Sequence, residues 1–395
     1  MSADEPRAWP NFGDTRNALS IYQSILAMVL VSLSPNGACD GTALADLGQL
    51  LFFDPNLSSE RTQSCATCHD PSAAFVDPRD NAVRRAASLG DDGQSIGDRN
   101  TPSAGYASHT PNFTRNLDGE YVGGLFLDGR AVSLEAQAVE PLFNPEEMAL
   151  RDAATAKQRI MQNSRYVELL TQLYGIELFD DEQALIVALG KSFAAFQKTD
   201  FFSPFDSKYD RFLVGAYEMT PLEEIGRSLF FSPLTNCTSC HLAPSSFTPN
   251  QETFTNYRYN NIGLPVNDQL RNTNQKPVGF RDHGLLDNPS VRDVSLDGKF
   301  KVPSLRNVAV TGPYMHNGIF KQLSTAILFY NKYTVVSQQS QTNPETGAPW
   351  GEPEVPATID FELLNEGQPI DQTRVQALIA FLETLTDRRY EALLK

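Results

Sequence analysis

Cys65-Ala66-Thr67-Cys68-His69 and Cys237-Thr238-Ser239-Cys240-His241 repeat one frame, Cys-x-x-Cys-His, in a chain of 395 residues with five cysteines and five histidines. The frame reads as the attachment signal of a c-type haem, in which both thiols become thioethers and the histidine ligates the iron. A zinc knuckle and a thioredoxin-like dithiol share the Cys-x-x-Cys spacing. Neither requires a histidine directly after the second cysteine, and here that histidine occurs twice. The sequence therefore predicts two covalently bound haems.

Composition sets the frame around these motifs. At 41% hydrophobic and 20% charged residues the chain has an ordinary globular make-up, which excludes a fibre, a disordered tail or a polytopic membrane protein. At roughly 150 residues per domain the length suggests two domains. Twenty-five prolines and 25 glycines suggest long ordered loops rather than a compact bundle. A net charge of −16 argues against nucleic acid as a partner. It favours a neutral or basic contact surface on a protein partner.

Covalent haem implies export, and the apolar run Ile25–Leu33, preceded by Arg7 and Arg16, has the length of a signal-peptide core. Asp4, Glu5 and Asp14 dilute its positive flank, and Asn36-Gly37-Ala38 is a poor cleavage site. An N-terminal helix packed on the protein is the alternative. The expectation is a signal or anchor over residues 1–39 and a periplasmic protein. Cys39, the odd cysteine, is a weak candidate for lipidation.

Each haem frame follows a related segment: Leu47-Gly48-Gln49-Leu50-Leu51-Phe52-Phe53-Asp54-Pro55 and Ile225-Gly226-Arg227-Ser228-Leu229-Phe230-Phe231-Ser232-Pro233. Both read as a short helix ended by proline and followed by a loop into the cysteines. Two distant copies make a duplicated domain, with a boundary expected between Phe201 and Thr220 and domains over 40–210 and 211–395. Helical periodicity recurs over Ala153–Tyr174, Asp181–Phe196 and Asp371–Leu385, with Asp371 as N-cap. No run alternates long enough for a substantial sheet. The fold class expected is mainly α: two cytochrome c-like domains, each wrapped around one haem.

From about Asp46 to Thr386 the chain resembles the bacterial di-haem cytochrome c peroxidase and MauG family. The resemblance rests on ordered motifs: LGQLLFFDPNLS (47–58), SCATCHDPSAAF (64–75), DRNTPS (98–103), GGLFLDGR (123–130), EAQAVEPLFNPEEMA (135–149), the second haem frame and KVPSLRNVAVTGPYMHNG (301–318). It implies that one haem reacts with hydrogen peroxide while the other relays electrons. No histidine or methionine lies between His69 and His109 to cap the first iron, which resembles the MauG branch. The resemblance assigns Glu147 as acid–base group over that haem, with Gln137 and Pro141 lining the site. For the second iron Met315 and Tyr330 compete as sixth ligand. A thioether raises the potential, whereas a phenolate favours ferric and higher-valent iron. Family register selects Tyr330. Asn100, Thr311 and Pro313 match the family's calcium site, whose hard oxygen ligands suit that ion. His316 is expected near a propionate or at the interface, and His109 and His283 have no assigned role.

Three functions follow from this resemblance. The first is a MauG-like oxidase that uses hydrogen peroxide to oxidise a partner protein, usually at tryptophan. The second is a cytochrome c peroxidase fed by a small cytochrome or cupredoxin. The third is a di-haem electron carrier. One departure stands out: Leu127 follows Phe126, where relatives commonly place a tryptophan between the haems. The chain's two tryptophans, Trp9 and Trp350, lie elsewhere. Weaker electronic sharing between the haems is the expected consequence.

Overall fold

The computed structural model describes residues 37–242 and 251–394; the apolar run Ile25–Leu33 lies outside them. The described residues from Gly41 onward belong to one compact unit, in which two helix pairs carry two hydrophobic cores. Strands are confined to two short antiparallel ribbons among the described residues, Thr114–Arg115 with Tyr121–Val122 and Tyr259–Asn260 with Phe300–Lys301. The mainly α expectation holds. No helix among the described residues is long and apolar enough to cross a membrane.

The repeated segments form the first helix of each pair. Gly37–Phe52 packs from Gly48 onward against Glu182–Gln197, and Pro221–Phe230 packs against Gln372–Glu383. The glycine shared by both segments makes this possible. A Cβ on Gly48 would lie 1.9 Å from the Ser192 carbonyl oxygen, and one on Gly226 would lie 1.8 Å from that of Ala377. Phenylalanines then close each crossing, Phe52 on Phe196 at 5.6 Å between ring centres and Phe230 on Phe381 at 5.1 Å. Around the first crossing gather Leu47, Leu51, Leu142, Leu170, Leu185 and Phe193; around the second, Tyr209, Phe254, Leu378 and Leu385.

Capping residues set the helix boundaries. Thr220 and Glu223 form a reciprocal capping box before Pro221. Asp181 and Asp371 accept hydrogen bonds from Ala184 and Arg374 N–H groups at 3.1 and 2.8 Å, as N-caps do. The long periodic run Ala153–Tyr174 is instead two helices, Ala153–Met161 and Ser164–Tyr174. Asn163 interrupts it, because its side chain accepts from the Arg165 N–H and starts the second helix afresh.

Gly226→Ala should destabilise the protein by about 1–3 kcal/mol, since the helix–helix contact has no room for a methyl group. Gly41→Ala, in open space, should be neutral or slightly stabilising. Thermal unfolding of the two variants checks the contrast.

Candidate functional site

Each proximal histidine is held at Nδ1 by a backbone carbonyl. His69 Nδ1 lies 3.1 Å from the Phe75 oxygen, and His241 Nδ1 lies 3.1 Å from the Phe254 oxygen. With Nδ1–H committed to a carbonyl, Nε2 keeps its lone pair for a metal. Burial pulls both imidazoles below their usual pKa, His241 to about 4, so both are neutral as an iron ligand must be. Phe75 and Phe254 are fully buried and left-handed, with φ of 58° and 56°. A serine hydroxyl ties the residue before each, Ser103 to the Ala74 carbonyl and Ser304 to that of Thr253, both at 2.7 Å.

The second site is a cavity of about 440 Å3 whose walls include Cys237, Cys240, His241, Met315 and Tyr330. Tyr330 sits just after the Leu323–Phe329 helix, which the second core supports through Leu323 and Ile327. Both sequence candidates for the sixth ligand therefore face the same space as His241.

The two halves match further. Leu125 pairs with Ala131 and Tyr314 with Phe320 in equivalent turns. Phe126 and Met315 are left-handed at corresponding places, φ 60° and 74°. Continuing that register puts Leu127 opposite His316 and Pro141 opposite Tyr330. The first half thus has a proline, with no donor group, where the second has a phenol.

Glu147 reaches the first site through a tight turn. Met148 N donates to the Pro141 carbonyl at 3.1 Å and Leu150 N to that of Leu142 at 2.7 Å. Met148 and Leu150 are buried in the first core, which leaves Glu147 on the other side of the turn. Its charge is felt at Cys65 and Cys68, whose thiols it helps to raise. Burial pushes the Glu147 carboxyl up to about 7; Arg130 opposes this, while Glu140 and Glu146 add to it. Gln137 ends the Leu134–Gln137 helix that leads into Pro141.

Asn100, Thr311 and Pro313 line the same cavity as the second site. The Asn100 amide nitrogen is committed to the Arg85 and Ala86 carbonyls at 3.4 and 3.3 Å, which leaves its oxygen for a cation. Neither the Thr311 nor the Pro313 carbonyl accepts a backbone hydrogen bond among the described residues. This all-oxygen, uncharged set fits calcium. His316 stacks on Phe300 at 3.7 Å, with Nε2 4.0 Å from a Glu354 oxygen. His109 packs edge-on against Phe205, and His283 pairs with Asp297 at 2.7 Å.

Residues 42–218 match the di-haem cytochrome c peroxidase family. The chain is 53% identical over 353 residues to the methylamine utilization protein MauG of Paracoccus denitrificans, spanning 89% of this chain and 91% of that one. The chain belongs to the di-haem cytochrome c peroxidase and MauG family. It is also 29% identical to the cytochrome c551 peroxidase of Nitrosomonas europaea, over 72% of this chain and 71% of that protein. The crystal structure of the diheme peroxidase BthA from Burkholderia thailandensis superposes with a TM-score of 0.78 at 31% identity, covering 93% of this chain and 89% of BthA.

As in its family, the protein binds two c-type haems and is a peroxide-dependent oxidoreductase that works with a protein partner. The residues present fit those haems: two paired cysteines per site, neutral histidines, and apolar walls from Phe75, Phe202, Phe230 and Leu378. Sequence reasoning passed over Lys301 and Glu354. Lys301 is half-buried in the cavity wall, donates to the Gly124 carbonyl, and is pulled down to about 7 by desolvation of its ammonium. Glu354 Oε2 and His316 Nε2 face each other at 4.0 Å, both buried and neither hydrogen-bonded. The KVPSLRN motif carried a signal for Lys301; nothing local marked Glu354. Replacing Cys65 and Cys68 by alanine should lower the intact mass by one covalently attached haem and leave the other in place, which mass spectrometry reads directly.

Proposed function

We propose that this enzyme uses hydrogen peroxide to oxidise a side chain of a partner protein, in the manner of MauG, and that its two haems divide the work as the halves divide their chemistry. The observation that carries this reading is the register of Pro141 against Tyr330: a haem on His69 would meet a proline with no donor group, and one on His241 would find a phenol within the same cavity. Bound haem supplies the redox chemistry and the peroxide-binding iron. The 53% identity to a protein named for methylamine utilization supports a protein substrate of that kind. The acidic chain, at −16, favours a neutral or basic contact on the partner. Covalent haem attachment supports a periplasmic location.

In this reading His69 holds the peroxide-reactive iron and His241 the second. Glu147 takes a proton from one peroxide oxygen and delivers it to the other, while Pro141 and Gln137 shape the space. Asn100, Thr311 and Pro313 hold calcium where segments of both halves meet, and the chain divides into haem domains over 40–210 and 211–395. Cys65, Cys68, Cys237 and Cys240 carry the thioethers. Leu127 offers no oxidisable ring, so direct electronic sharing between haems bound at the two sites would be weaker than with a tryptophan there. The Nitrosomonas relative keeps the peroxidase reading as the alternative; rapid peroxide turnover with reduced cytochrome c would favour it.

Glu147→Gln should slow the reaction with peroxide about a hundred- to ten-thousand-fold, the range of general acid–base help, with both haems still attached. A base must be ionised to accept the proton. The rate should therefore rise with pH through about 7, the carboxyl's raised value, and Glu147→Gln should flatten that rise. Stopped-flow spectra across pH check both. For the second iron, Tyr330→Phe should abolish the phenolate-to-iron absorption and Met315→Leu should leave it intact; the reverse pattern would make Met315 the ligand.

A further inference from the structure

We propose that Tyr106 is a redox-active tyrosine between the two haem sites, oxidised to a neutral radical as its phenolic proton passes to Asp387. The proposal rests on the peroxide-dependent di-haem reading and adds to it a side chain able to hold an oxidising equivalent between the irons.

Position is the first argument. The loop that carries Tyr106 also carries Pro102, whose carbonyl faces His69. The matching loop of the second half carries Pro303, whose carbonyl faces His241. Tyr106 and Asn307 occupy equivalent left-handed places in these loops, with φ of 61° and 60°. Asp387 joins the two: one oxygen accepts from the Tyr106 hydroxyl and the other from the Asn307 amide at 2.9 Å. Tyr106 also lines the cavity that holds His241 and Tyr330.

Chemistry is the second. A phenol that loses an electron becomes a strong acid, so its oxidation is easy only where a proton acceptor is already in place. Asp387 is that acceptor, at 0% exposure, and Tyr106 is 2% exposed, so a radical there is shielded from solvent. The phenolic oxygen also accepts from the Phe205 N–H at 3.3 Å, a contact that survives deprotonation. Arg306 lies 5.3 Å from the ring centre and favours a ring that has released its proton over one that keeps it. Several neighbours on the cavity wall are less suited. Tyr257 shares a hydrogen bond with the Thr253 hydroxyl at 2.8 Å, Leu127 is saturated, and Phe126 and Phe300 resist oxidation.

The step balances within these residues. One electron leaves Tyr106 for a peroxide-oxidised haem, the phenolic O–H bond breaks, and a new O–H bond forms on the Asp387 carboxylate. An electron from the partner protein reverses it: Tyr106 is reduced and the proton returns.

Freeze-quenched electron paramagnetic resonance of the peroxide-treated holoenzyme tests the assignment. The wild-type signal should narrow when tyrosine rings are deuterated and fall to background in Tyr106→Phe. A 3-fluorotyrosine placed at position 106 keeps the phenol and the fold, and should add fluorine hyperfine splitting. A signal insensitive to deuteration, one that persists in Tyr106→Phe, or one without fluorine splitting would overturn the assignment. Optical spectra on the same samples separate the two levels of inference. Haems that ignore peroxide would sink the functional reading, whereas haems that react without a radical at Tyr106 would sink this assignment alone.

Discussion

One hydrogen bond, made twice, organises this molecule: a buried imidazole Nδ1 held 3.1 Å from a phenylalanine carbonyl. A haem iron needs its histidine neutral, presented through Nε2 and fixed in rotation, and a backbone carbonyl behind Nδ1 satisfies all three demands. The cost is local, since Phe75 and Phe254 adopt left-handed backbone that side chains disfavour. Around each site the protein repeats what makes that cost bearable. A serine hydroxyl ties the preceding residue, a buried phenylalanine ring anchors the turn, and a helix pair meets through a glycine.

On this duplicated frame the differences carry the function. Pro141 and Tyr330, Leu127 and His316, Tyr106 and Asn307 are pairs of unlike side chains at like places. Each pair changes what its place offers: a ring without a donor or a phenol, a saturated or a polar wall, a phenol or an amide in the loop. Symmetry supplies two haem beds, and a few substitutions make them unequal.

Buried charge joins the halves. Arg306, fully enclosed, grips Asp210 at 2.7 and 2.9 Å, and Arg99 binds Asp282 and Asp128. Such pairs add little net stability, yet removing one partner costs about 3–5 kcal/mol, because the other charge is left buried and unpaired. Arg306 lies beside Tyr106, and Arg99 lies over Phe300, against which His316 stacks. The same guanidinium groups thus place positive charge beside the Tyr106 ring and beside the Phe300–His316 stack.

The sequence by itself determined what is written in short, contiguous patterns. Cys-x-x-Cys-His names its own chemistry, helix periodicity and capping aspartates mark helix starts, and the repeated Gly-x-x-x-Phe-Phe segments announce two similar halves. The break at Asn163 escaped, because a polar side chain diverting one backbone N–H leaves the apolar period nearly intact. Tertiary structure decided everything that depends on proximity across the chain. It set Glu147 near Cys65 and raised its carboxyl by burial, placed Lys301 and Glu354 in a cavity wall, and brought Tyr106 to Asp387. Burial and through-space charge are sums over residues distant in sequence, and no local pattern encodes such a sum. The equivalence of Pro141 and Tyr330 lies between the two cases. Its register is present in the sequence, but the left-handed turns at Phe126 and Met315 make it visible.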